Sequence, residues 1–236
     1  MACHVRPRAV LFDLADTLGY LWVPKCQRFL HLLKTSGLAT PSEDAARRGT
    51  LAFLRALSQE EPGPVPGSLG WRGSLGAYGS AFRAMGCDDA DALALRLYEV
   101  ARSLRFAIYP DPAAEHVLSR LKANGLHLGV ISNHRGTLKE NLDELGVLRF
   151  FDVILDSHIV GFRKPDPEIF LMACRVIGVE PQDAVYVGDE PVTDVAGARR
   201  AGLGPILVDP LALFEQNDAE ATIASLSQLE RVLQRT

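Results

Sequence analysis

Residues 9–18 read Ala9-Val10-Leu11-Phe12-Asp13-Leu14-Ala15-Asp16-Thr17-Leu18. Four apolar residues in a row, closed by a carboxylate, suit a short strand buried on both faces rather than one face of a helix. A charge emerging where a buried strand stops is poorly solvated and needs a partner. Working outward, four more apolar runs share this character, at 126–131, 153–155, 184–187 and 206–208. Segments of helical period separate them. Asp111-Pro112 and Asp166-Pro167 each read as an N-cap followed by Pro at the first helical position. Behind the first lie Val117, Leu118 and Leu121, with Gly125 as the stop; behind the second lie Phe170, Ala173 and Ile177, with Gly178 as the stop. A third helix is expected from about 192 to 201, ending at Gly202. Strands alternating with such helices predict an α/β fold with a parallel sheet, which binds ligands at the carboxyl ends of its strands.

The interval 20–106 breaks the alternation. It predicts helices over 24–36, 41–58, 74–85 and 89–104, the second opened by a Thr40/Glu43 capping box. Six Gly and three Pro within residues 62–80 mark a long loop that splits this set in two. The expected division is therefore a core of 1–19 and 107–236 with a helical cap domain of 20–106. A helical insert placed directly after the first strand reads as a lid over the strand ends.

The composition narrows the function classes. The 236 residues carry 25 Lys plus Arg against 29 Asp plus Glu, a net charge of −4. No dense basic run is present to meet a phosphate backbone, so nucleic acid is not an expected partner. No apolar stretch approaches the roughly 18 residues needed to span a membrane. Cys3, Cys26, Cys87 and Cys174 lack CxxC spacing, which argues for plain thiols and against zinc. The first residues lack the apolar core of a secretory signal, so a cytoplasmic location is expected. The oligomeric state is not readable.

The strand ends carry the chemistry. Asp13 follows the first strand and Ser132-Asn133 the second. Lys164 stands in Gly161-Phe-Arg-Lys-Pro-Asp-Pro167 after the third, one of only five Lys beside twenty Arg. Asp189 and Asp194 follow the fourth, across a turn and the start of a helix. Three carboxylates gathered at one edge repel one another unless a cation neutralises them. Hard oxygen donors at a small site suit Mg²⁺ held together with substrate phosphate. Lys164, Ser132 and Asn133 would then hold phosphoryl oxygens, leaving Asp13 to attack in line.

Taken together, FDLADTL, VISN, GFRKPDPEIF and VGDEPVTDVAGARRAG resemble the haloacid dehalogenase (HAD) superfamily, in its phosphatase branch with a helical cap inserted after the first motif. The resemblance implies a Rossmann-like core with a five-stranded parallel sheet in the order 5-4-1-2-3. It implies Asp13 as nucleophile, with Ser132 and Lys164 binding phosphate and steadying it. It also implies Mg²⁺ on Asp13, the main-chain oxygen of Ala15 and Asp189, with Asp194 in or just behind that set. The implied activity is hydrolysis of a small phosphorylated metabolite through an aspartyl-phosphate. Substrate choice would fall to the cap, through Tyr20, Trp22, Lys25 and the loop around Trp71.

One position departs from the family. Its phosphatases carry an Asp acid–base where Ala15 stands, and the carboxylate here comes one residue later, at Asp16. Asp16, His134 and Glu190 are the candidates to replace it. Two other readings follow from this departure. One is a catalytically weak HAD-like module that binds phosphate or protein. The other is a phosphonatase-like C–P hydrolase, which also has Ala at that place but needs a cap lysine, for which only Lys25 and Lys34 stand in the insert. A dehalogenase proper would carry Tyr at position 15 and no metal, and the Asp189/Asp194 pair opposes it.

Overall fold

The computed structural model describes residues 7–21, 25–38, 41–59, 74–103, 108–214 and 217–234. The chain forms two compact units, one of Met1–Tyr20 with Ile108–Thr236 and one of Leu21–Ala107. Along the chain, β1 (Ala9–Phe12) and β2 (Gly19–Leu21) precede four helices, α1 (Lys25–Thr35), α2 (Glu43–Gln59), α3 (Leu75–Met85) and α4 (Ala90–Ser103). Then come β3 (Ile108–Pro110), α5 (Ala114–Ala123), β4 (His127–Ser132), α6 (Leu138–Glu144), β5 (Val153–Asp156) and α7 (Ser157–Val160). The remainder is α8 (Pro167–Ile177), β6 (Ala184–Gly188), α9 (Ala196–Arg200), β7 (Gly204–Val208), β8 (Ala221–Ile223) and α10 (Leu229–Leu233).

The first unit is an α/β core around a parallel sheet in the order β5-β4-β1-β6-β7-β8. Counted along the sequence and from the other edge, the five expected strands lie 5-4-1-2-3. The five-stranded expectation is corrected to six, because β8 extends the β7 edge. A second small sheet, β2 with β3, was also unforeseen. Each is only three residues long, too short for a legible alternation.

Why β1 reads as an unbroken apolar run is plain from its surroundings. Val10 and Phe12 face one layer with α5, α6 and α10 through Val117, Leu118, Leu142 and Leu229. Ala9 and Leu11 face the other, with Ile169, Phe170 and Ala173 of α8 and Ala198 of α9. The caps act as expected at α8, where Asp166 Oδ1 accepts from Glu168 N at 2.9 Å and Gly178 ends the helix at φ +70°. At α5 the Asp111 carboxylate accepts from Ala113 N at 2.8 Å, so the helix begins two residues later than the sequence suggested. The helix expected from 192 is instead a π-helical turn over Pro191–Val195 that passes into α9.

The second unit is helical, and its four helices follow the predicted spans closely. Its core is aromatic: Phe29, Phe53 and Tyr78 stack with centroids 5.2–6.4 Å apart, and Phe82 meets Phe29 edge-on at 5.8 Å. Ser74 caps α3, its Oγ accepting from Ala77 N at 2.9 Å. Thr40, Trp22 and Trp71 lie outside the described residues, as does most of the Gly/Pro-rich loop. Cys87 and Cys174 are free thiols. Among the described residues, no helix is long and apolar enough to cross a membrane.

Gly129, in the middle of β4, sits between Leu11 and Val153. A Cβ there would lie 2.5 Å from Val153 Cγ1 and 2.7 Å from Leu11 Cδ2. Gly129→Ala is therefore expected to destabilise the core by about 1–3 kcal/mol through overpacking. Urea denaturation should show this as a lowered midpoint with an unchanged slope.

Candidate active site

β1 lies at the point where the sheet's connections reverse direction, flanked by β4 and β6. Its carboxyl end therefore opens between two neighbouring strand ends, the place where such sheets hold ligands. Asp13 N donates to Val187 O of β6 at 2.9 Å, which fixes the residue at the sheet edge. The chain then doubles back, with Leu18 N and Gly19 N both donating to Leu14 O and Asp16 N to Gly19 O. The turn needs a left-handed residue, and Asp16 supplies it at φ +58°. Asp is one of the few non-glycine residues that tolerate this conformation.

Lys164 precedes a cis Lys164–Pro165 bond ahead of α8. Its main chain is clamped by Asn133: Lys164 N donates to Asn133 Oδ1, and Asn133 Nδ2 donates to Lys164 O, both at 2.8 Å. Asn133 was expected to meet phosphate, yet its carbonyl and one amide N–H are engaged in holding the lysine. Lys164's buried ammonium donates to Asp13 Oδ1 at 2.7 Å, to Asp194 Oδ1 at 2.6 Å and to the Tyr186 hydroxyl at 2.8 Å. All three of its N–H groups are thus used.

Asp194 is carried in by the π-helical turn, where Glu190 O accepts from both Asp194 N and Val195 N. Its second oxygen accepts from Glu190 N at 3.0 Å. The approach is close enough to demand Gly188, since a Cβ there would lie 2.5 Å from Asp194 Cγ. Asp13, Asp189 and Asp194 each offer a carboxylate oxygen, and these atoms all lie within 4.8 Å of one another. Asp13 and Asp194 are buried and Asp189 half-buried.

Burial and the pairing of Lys164 with two carboxylates together set the electrostatics. Burial drives the Asp194 carboxyl above the ordinary range, with Lys164 opposing and Asp13 adding to the rise. For Lys164 burial acts to strip the proton, but Asp13 and Asp194 outweigh it and hold the ammonium charged well above the usual lysine range. Three carboxylates and one ammonium leave two negative charges in a largely buried cluster. A divalent cation held by Asp13 and Asp189, with Asp194 adding charge beside them, would balance that excess, so the donor set fits one. Thr17 Oγ1, in the same loop as Asp13, is buried without a hydrogen-bond partner among the described residues.

Ser132 is buried at the end of β4, in register with Asp156 of β5. The Asp156 carboxylate accepts main-chain N–H groups from Gly136, Leu138 and His158 at 2.8–3.2 Å, which pins the loop after β4. His134 in that loop lies with Nδ1 3.5 Å from Asp156 Oδ2. Its pKa is lowered by burial, with Asp156 and Asp13 pulling it back up and Arg135 pushing it down. Ala15 is half-buried beside Gly19 and brings no carboxylate. The residue that sequence reasoning missed is Tyr186. A hydroxyl inside the aliphatic run of β6 was the available signal, because a buried tyrosine O–H requires a partner.

With this geometry in place, comparison with known proteins is direct. The family model of the haloacid dehalogenase-like hydrolases matches residues 7–202. Glyceraldehyde 3-phosphate phosphatase of Methanothermobacter thermautotrophicus is 38% identical over 242 residues, covering 96% of this chain and 99% of the relative. Human haloacid dehalogenase-like hydrolase domain-containing protein 3 is 31% identical over 226 residues, covering 89% and 88%. Among solved structures, a HAD phosphatase from Thermococcus onnurineus shares the fold with a TM-score of 0.59 at 24% identity, covering 96% and 97%. Converging carboxylates at the sheet's reversal point, the matching family model and full-length relatives all lead to one assignment: the chain is an enzyme that belongs to the haloacid dehalogenase-like hydrolases.

Proposed function

We propose that this hydrolase is a Mg²⁺-dependent phosphatase that cleaves a small phosphorylated metabolite by forming an aspartyl-phosphate on Asp13. The single observation that carries the reading is the position of Lys164. Its ammonium holds Asp13 Oδ1 at 2.7 Å, which fixes the carboxylate and leaves Oδ2 as the attacking oxygen. The archaeal relative named for glyceraldehyde 3-phosphate supports a phosphate monoester as substrate.

Asp13, the main-chain oxygen of Ala15 and Asp189 would hold the cation. Asp194, with its oxygens already engaged by Lys164 and Glu190 N–H, adds charge from behind. When bound, Mg²⁺ supplies positive charge to neutralise the carboxylates and the transferring phosphoryl group. Asp13 Oδ2 then bonds to phosphorus as the ester P–O bond breaks, and the electron pair leaves on the alcohol oxygen, which takes up a proton from solvent. Ser132 Oγ and the remaining Asn133 amide N–H meet phosphoryl oxygens. A phosphoryl oxygen reaching Lys164 replaces one of the ammonium's present acceptors. Water next attacks phosphorus and gives a proton back to solvent, the P–O bond to Asp13 breaks, the carboxylate is restored and inorganic phosphate is released.

Ala15 handles no proton. Missing general acid–base help costs about 10²–10⁴-fold in rate, so the reaction relies on charge neutralisation and positioning. This favours esters whose alcohols leave without assistance.

A screen of phosphomonoesters with Mg²⁺ is the test, with Asp13→Asn as the blank. The variant should fold normally and lose turnover to background; full residual activity would assign the nucleophile elsewhere. Mass spectrometry after acetyl phosphate and Mg²⁺ should show one added phosphoryl group, absent in Asp13→Asn. No adduct on the unmodified chain would favour the binding-module reading. Removing divalent cations with a chelator should abolish turnover reversibly, with Mg²⁺ restoring it. Ala15→Asp should raise kcat on alkyl phosphates by roughly tenfold or more if a carboxylate there moves protons; an unchanged rate would mean that a neighbour already does so.

A further inference from the structure

Tyr186 lies on β6 and its hydroxyl donates to Ile131 O of β4 at 2.9 Å, although β1 separates these strands in the sheet. Tyr186 stands in register with Leu11, and Ile131 lies one residue beyond Val130, the partner of Phe12, so the side chain crosses one face of β1 toward its carboxyl end. The phenol oxygen therefore arrives beside the strand end that carries Asp13. Its oxygen also accepts from Lys164 Nζ at 2.8 Å and lies 3.4 Å from Asp194 Oδ1. Phe170 packs edge-on against the ring, centroids 4.9 Å apart at 79°. Phe170 in turn is crowded by α9 at Gly197, where a Cβ would lie 2.8 Å from its ring. The phenol is thus held in position from the ring, from Ile131 and from Lys164.

An ammonium facing only two carboxylates is free to swing toward either. A third acceptor at a fixed place removes that freedom, since three tetrahedral N–H directions then have three set destinations. We propose that Tyr186 is a positioning residue that aims Lys164. Its oxygen takes one N–H, so that the other two are divided between Asp13 and Asp194 and Asp13 keeps the orientation needed for attack. This assignment rests on the phosphatase reading for its effect on rate, but not for its effect on Lys164 itself. Tyr186 touches neither substrate nor the reacting atoms and acts through Lys164.

The test uses the full chain labelled with ¹⁵N-lysine, of which it has five. A buried ammonium with every N–H bonded exchanges slowly and gives its own ¹H–¹⁵N signal, while exposed ammonium groups exchange away. Lys164 should give that signal in the unmodified protein and lose or shift it in Tyr186→Phe. With p-nitrophenyl phosphate and Mg²⁺, kcat should fall by about ten- to a hundredfold, the scale of one hydrogen bond to a charged group, while KM stays within about twofold. A merely structural role would lower the melting temperature but leave the ammonium signal in place once the variant is folded, and that outcome overturns the proposal. If Tyr186→Phe does not fold, 3-fluorotyrosine at position 186 keeps the O–H and weakens the oxygen as an acceptor. The ammonium signal should then shift, and an unmoved signal counts against the assignment. An unmodified chain with no turnover on any ester removes the phosphatase reading, and the ammonium signal still decides the role of Tyr186.

Discussion

A buried ammonium shared between two buried carboxylates is the contact on which the rest of this structure turns. Taking Lys164, Asp13 and Asp194 out of water is costly for each ion separately. Together they offset much of that cost, because each charge faces an opposite one at 2.6–2.7 Å. The partners come from the end of β1, the segment before α8 and the turn after β6. Their convergence therefore depends on the whole strand order being correct. Any rearrangement of β1 relative to β6 would leave an unpaired charge in the interior, a larger penalty than the loss of a few apolar contacts.

Main-chain anchors keep that convergence from depending on long, mobile side chains alone. Asn133 clamps Lys164 at both its N–H and its carbonyl, Asp156 gathers three N–H groups beneath the loop after β4, and Glu190 O takes two N–H groups to bring Asp194 inward. Missing Cβ atoms contribute equally. Gly188 admits the Asp194 carboxylate, Gly197 admits Phe170, and Gly129 lets Leu11 and Val153 close over β4. A polar network of this kind is rigid only when every member is satisfied. Here the rigidity comes from backbone groups whose positions the two-sided sheet has already fixed.

This explains which parts were legible in the sequence. Strands buried on both faces leave apolar runs, and β1, β4 and β6 were readable as such. Asp166-Pro167 with Gly178 announced α8 almost to the residue. The carboxylates at 13, 189 and 194 were visible as chemistry because charges following such strands need a reason. Strand β8, with Thr222 exposed between a half-buried Ala221 and a buried Ile223, has no pattern distinct from a loop. The π-helical turn was hidden because its cause is one carbonyl accepting twice, which no residue type signals. Asn133 was assigned to phosphate on its side-chain chemistry alone, and its engagement with Lys164 depends on a pairing 31 positions distant. Tyr186 was absorbed into the core for the same reason: its ring does pack there, and only its oxygen belongs to the site.

The site thus separates two tasks that a phosphatase needs. Holding charge is the work of buried groups tied to the sheet: Asp13, Lys164 and Asp194. Asp16 and His134, which sequence reasoning considered for proton transfer, lie on the turn after Asp13 and the loop after Ser132. There Ala15, Asp16 and His134 are only half-buried, and of these Asp16 alone adopts a special backbone conformation. An alanine at position 15 brings no carboxylate and unpairs no buried ion, so the charge-balancing core stands intact beside it. The presence of a complete Lys164–Asp13–Asp194 network next to Ala15 is what that physical separation permits. Under the proposed phosphatase reading, the absence of a carboxylate at position 15 changes which esters are cleaved fast and leaves the charged network whole.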